Sequence, residues 1–127
     1  MMSALPRRYR RLLADIDGRS MSGIETVLRL ALRDAGLSCE VQVRVSGVGR
    51  VDLVVEGCIA IETDGQAYHD GAEARARDYD RDLKLTLAGY TVLRFDYRQI
   101  MFELESVVQA VRVALGNRAD RAVRPAR

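Results

Sequence analysis

A chain of 127 residues, 48% hydrophobic and 30% charged, is long enough for one domain with a real core and too short for two. No apolar run approaches the roughly 18 residues of a membrane span, and the N-terminus has no apolar stretch of the signal-peptide kind. Cys39 and Cys58 stand in no C-x-x-C spacing, which argues against a disulfide or zinc framework and for a reducing, cytoplasmic location. The net charge of +2 hides an uneven distribution: residues 1–20 carry five Arg against two Asp, residues 116–127 four Arg against one Asp, and the centre is acidic. Such basic ends suit arms that grip phosphate, or they are two solvated, partly disordered tails.

Residues 1–21 are expected to form a basic N-terminal arm or short helix. From Ser22 to Ala35, the apolar residues Ile24, Val27, Leu28, Ala31 and Leu32 recur at helical spacing. Ser22, with Glu25 three residues on, makes a capping-box pattern, and Gly36 ends the helix. Residues 39–45 alternate in strand fashion. The turn Ser46-Gly47-Val48-Gly49 leads into a hairpin whose arms are 51–55 and 59–64, joined by Glu56-Gly57-Cys58. A loop past His69 reaches a helix over 72–88, with Ala72, Ala76, Tyr79, Leu83 and Leu87 as its expected buried stripe. Residues 90–95 read as a fourth strand, and the helical crossover makes it parallel to 59–64. A last helix covers 99–115, and 116–127 is expected to be a basic, disordered tail. The order α-β-β-β-α-β-α defines an α/β domain over 22–115, a mixed four-stranded sheet flanked by helices.

The hairpin carries the chemistry. A turn centred on Gly57 places Asp52 opposite Glu62, with Cβ atoms about 4.5–5.5 Å apart. The same register puts Val51, Leu53 and Val55 on one apolar face, so the carboxylate face looks elsewhere. Asp64 shares the face of Glu62 by two-residue alternation. Carboxylates this close repel unless a cation lies between them or one binds a proton. They suit Mg²⁺, a hard ion that takes one or two carboxylates plus waters and a substrate phosphate. Taken singly, each carboxylate is more simply a solvated strand-end charge. The remaining polar residues carry paired readings. Asp78 and Arg81 are an ordinary i,i+3 ion pair, or Arg81 grips a phosphate or a site carboxylate with Asp78 orienting it. Gln42 and Arg94 either face the site or lie on the surface.

These residues resemble the PD-(D/E)XK nuclease superfamily, and within it the small bacterial proteins related to the very short patch repair endonuclease. The resemblance runs from about Ser22 to Leu115. It rests on Glu25, Val51-Asp52, the run Ile61-Glu62-Thr63-Asp64-Gly65, Tyr68-His69, Asp78-x-x-Arg81-x-x-x-Leu85-x-x-x-Gly89-Tyr90, and Val92-Leu93-Arg94-Phe95. It implies a restriction-endonuclease-like core and Mg²⁺- or Mn²⁺-assisted hydrolysis of phosphodiester bonds, with nucleic acid, DNA first, as partner. Asp52 and Glu62 become metal ligands, the Thr63 carbonyl an extra ligand, and Glu25 either positions a metal-bound water or merely caps its helix. The pattern anticipates Lys where Asp64 stands, which leaves the general base open and brings in His69, whose unperturbed pKa of about 6.5 suits a proton relay. With no room for a second DNA-binding domain, specificity falls to a homodimer or a separate partner. The rival class is a nuclease fold turned binding module without cleavage. A glycoside hydrolase would also use paired carboxylates, but a chain with no Trp and two Phe lacks sugar platforms.

Overall fold

Strands apolar on both faces need cover on two sides, and the order of elements supplies it. In a computed structural model, the described residues are 7, 9, 11, 21–64 and 71–123. Helix α1 (Met21–Asp34) leads into strands β1 (Cys39–Val45), β2 (Gly49–Val55) and β3 (Ile59–Asp64). Helix α2 (Ala72–Leu87) then crosses to strand β4 (Thr91–Asp96), followed by helices α3 (Tyr97–Phe102) and α4 (Leu104–Val123). The sheet order is β1-β2-β3-β4, antiparallel up to β3 and parallel between β3 and β4. This is the mixed, helix-flanked α/β sheet expected. No helix among the described residues is long and apolar enough to cross a membrane.

The β2–β3 hairpin pairs Val55 with Ile59, Val54 with Ala60 and Leu53 with Ile61, the register a turn centred on Gly57 requires. Glu56 and Gly57 both take positive φ, 52° and 71°, and the Cys58 amide donates to the Val55 carbonyl at 3.1 Å. Gly at the second position removes the Cβ clash of left-handed backbone.

One sheet face packs Leu53, Val55, Ile59 and Ile61 against Ile24, Val27, Leu28 and Leu32 of α1, and against Ile100, Leu104, Val107 and Val111 of α3 and α4. The opposite face holds a smaller cluster of Val45, Val51, Val54 and Ala60 under Leu85 of α2. Val51 therefore does not share the face of Leu53 and Val55, contrary to strict alternation. The β1–β2 ladder skips one level, between Val41–Leu53 and Val43–Val51. At that level Gln42 has φ 54°, and this left-handed residue breaks the alternation of both strands.

The expected stripe of α2 is also overturned. Tyr79, Leu83 and Leu87 are 72%, 57% and 78% exposed, and Ala72 and Ala76 are exposed too. The helix turns Asp78, Arg81, Asp82 and Leu85 inward instead, because Arg81 and Asp82 find polar partners on the strands. Leu85 is its one fully buried anchor among the described residues. Leu85→Ala is expected to cost about 2–5 kcal/mol, read as a fall in denaturation midpoint; a midpoint unmoved from the wild type would contradict this packing.

Helix α1 begins at Met21, so Ser22 lies inside it rather than capping it. Asp96 and Gln99 form a capping box at α3: the Gln99 amide donates to Asp96 at 2.8 Å, and the Asp96 amide to the Gln99 side chain at 3.0 Å. The final helix is interrupted at Glu103 and then runs through Gly116 to Val123, past the expected start of the tail. Arg118 donates to the Thr91 hydroxyl at 3.0 Å and ties this extension to β4. The arm over 1–21 falls largely outside the described residues, as do positions 124–127.

Candidate active site

Beyond Leu53–Ile61 no further β2–β3 pairing is made, and the strands part. Asp52 and Glu62 stand at this opening, the next level of the same register. Asp52 also occupies the level skipped by the β1 ladder, opposite Gln42, where residues before and after it turn to different faces. It can therefore meet side chains from both layers. From α1 comes Glu25, whose Oε1 accepts a hydrogen bond from the buried Thr63 hydroxyl at 3.3 Å. From α2 comes Arg81, whose Nε lies 2.7 Å from Oε1 of Glu62.

Glu62 is 6% exposed. Burial pushes its pKa up, the Arg81 hydrogen bond and charge pull it back, Asp52 adds repulsion and Arg94 attraction. Glu25 is also raised, by burial first, then by the charge of Asp52; a hydrogen bond with the Asp52 carboxyl and the charge of Glu62 work the same way, against the Thr63 hydroxyl. Three carboxylates from three elements thus repel one another in a partly desolvated place.

Arg81 has the longest reach. Besides Glu62, its Nη1 donates to the Val48 carbonyl at 3.5 Å and its Nη2 to the Arg50 carbonyl. The site carboxylate expected as a partner for it is Glu62. Asp78 does not orient it: that side chain lies 3.9 Å from Nη1 of Arg94, and Asp82 holds Arg94 Nη2 at 3.0 Å. Arg94 stands beside Glu62 in the parallel ladder. The one sequence signal for Asp82 is its place on the helix face of Asp78 at i,i+4. The carbonyls of Val48 and Arg50 leave no sequence signal at all.

Gln42 is exposed, and its backbone, through the break at Asp52, shapes the site more visibly than its side chain does. Left-handed backbone costs a non-glycine residue about 1–2 kcal/mol. Gln42→Gly is accordingly expected to keep or raise the denaturation midpoint and Gln42→Val to lower it; the reverse order would rule out that conformation. The backbone of Asp64 ends β3, paired with Asp96. His69 lies outside the described residues.

Among the described residues, no group of three or more His, Cys, Asp or Glu side chains is preset at metal-binding spacing. Mg²⁺ asks for less, one or two carboxylates and waters, and the hard oxygens of Asp52 and Glu62 fit that demand. A separate cavity of about 470 Å³, between β4 and α4, is lined by Thr91, Leu93, Val113 and Arg118 among others and contains no carboxylate.

A mixed sheet with helices on both faces and carboxylates where its central strands part defines a restriction-endonuclease-like core. The chain belongs to the restriction-endonuclease-like family REase_MTES_1575, whose model matches residues 25–115. Comparison with curated proteins and with solved structures gave no match.

Proposed function

We propose that this chain is a divalent-metal-dependent endonuclease that hydrolyses phosphodiester bonds, with DNA as substrate and the cytoplasm as its place, related to the very short patch repair branch of the PD-(D/E)XK superfamily. The observation that carries the reading is the convergence of Glu25, Asp52 and Glu62, with Glu25 and Glu62 both pushed toward protonation. Burial raises both groups first and the charge of Asp52 adds to it, a balance that a bound cation would reverse. Membership of a restriction-endonuclease-like family supports the reaction class.

Asp52 and Glu62 hold Mg²⁺ or Mn²⁺ in this reading, with the Thr63 carbonyl and Asp64 as further oxygen donors. An ion held there would supply an activated water and offset charge on the scissile phosphate. Glu25, steadied by the Thr63 hydroxyl, positions the attacking water. Arg81 holds Oε1 of Glu62 and so orients that carboxylate. Arg94 adds positive charge at the opening, and His69 passes a proton to the leaving group.

The test is incubation with supercoiled plasmid and with single-stranded DNA, with Mg²⁺, with Mn²⁺ and with chelator. Metal-dependent cleavage that disappears in Asp52→Asn and Glu62→Gln supports the enzyme. Intact DNA binding without cleavage would instead favour a module that only binds, the reading to which Asp64 in the place of Lys points.

A further inference from the structure

Helix α2 carries more apolar surface outward than inward. Leu85 anchors it to the sheet, while Ala72, Ala76, Tyr79, Leu83 and Leu87 form an exposed stripe on the opposite side. Apolar residues at this spacing suit the seam of a helix pair. Its flanks hold Glu73, Arg77, Asp80 and Lys84, none in a salt bridge within the chain among the described residues.

The charges are arranged to match themselves. In an antiparallel pair of identical helices related by a two-fold axis between Asp78 and Tyr79, residues at equal height have numbers summing to about 157, the sum obtained by adding the two central positions. That puts Glu73 beside Lys84 of the second copy and Arg77 beside Asp80. Both pairs are of opposite sign, and symmetry forms each of them twice. The stripe meets itself with small against large: Ala72 comes within about 3 Å in height of Leu87, and Ala76 of Leu83. A parallel pairing would set like charges at equal height.

We infer that the exposed face of α2 is a homodimer interface, in which two copies pair α2 antiparallel through Tyr79, Leu83 and Leu87. The apolar stripe supplies affinity, and the flanking charges set direction and register, the division of labour common at interfaces. The inference stands apart from the nuclease reading, because mass in solution is independent of cleavage.

Light scattering coupled to size exclusion, over a wide dilution series, gives a dimer mass for the wild type. Leu83→Glu, and separately Leu87→Lys, give a monomer mass with an unchanged far-ultraviolet dichroism spectrum, since both side chains lie outside the core. Lys84→Glu raises the dissociation constant by on the order of tenfold. Adding Glu73→Lys to it, which recreates the pair with its signs exchanged, restores the wild-type value. A monomeric wild type, a dimer persisting in both apolar variants, or a double reversal no tighter than Lys84→Glu alone would each overturn the proposal.

Discussion

Asp52→Asn and Glu62→Gln are each expected to reduce metal-dependent cleavage by on the order of a thousandfold, several kcal/mol of lost charge stabilisation at about 1.4 kcal/mol per factor of ten. Each amide keeps the shape of the acid and removes its charge, so DNA affinity without metal should stay within a few-fold of wild type. The two variants should differ in stability. Asp52 is half-buried, and neutralising it relieves repulsion on Glu25 and Glu62. Glu62→Gln takes away both a buried charge and the ionic partner of Arg81, effects that oppose each other. Titration calorimetry with Mn²⁺ should register binding to the wild type and none to either variant. Full metal binding in both would move the ligands elsewhere, whatever the cleavage assay reads.

Arg81→Ala should be the most destabilising change near the site. It leaves a buried carboxylate without its donor, which costs about 1–3 kcal/mol and more when the acceptor is charged. It also frees the carbonyls of Val48 and Arg50, so the β1–β2 turn loses its tie to α2. Lysine is not an adequate substitute, since one ammonium cannot reproduce the fork that reaches a carboxylate and two carbonyls together. The loss should depend on pH. Glu62 already binds its proton more tightly folded than unfolded, so its contribution to stability falls as pH rises from the ordinary carboxylate range through the raised folded value. Without Arg81 the folded value climbs further. The deficit of Arg81→Ala against wild type should be greatest near neutrality and shrink on acidification toward that range. Denaturation midpoints of both proteins across pH decide it; a deficit that is flat or grows in acid would mean that Glu62 is not the group left exposed to the loss.

The β2–β3 hairpin was legible in the sequence because its information is local. Gly57 and three alternating positions on either side set the register, and Leu53 opposite Ile61 follows. The parallel placement of β4 was legible because a helical crossover admits it most readily. Two expectations failed where longer-range contacts decide. Ala72, Ala76, Tyr79, Leu83 and Leu87 have the spacing of a buried stripe, yet the helix is rotated by partners far away in the chain, with Arg81 on Glu62 and Arg94 between Asp78 and Asp82. Periodicity shows that a helix has an apolar face, and it is silent on whether this chain or a second copy covers it. The break in alternation at Gln42 was also invisible, since a glutamine in a polar–apolar strand pattern gives no sign of left-handed backbone.

By itself, then, the sequence determined the order of elements, the hairpin register and which carboxylates stand near its open end, all set by turns, alternation and spacings of a few residues. Only the tertiary structure decided that Glu25 of α1 meets Thr63 and Asp52, that Arg81 answers Glu62, and that α2 shows its apolar stripe to solvent. Those outcomes depend on how desolvated charges find partners across the sheet, an energy shared among residues 19 to 38 positions apart that no local pattern encodes.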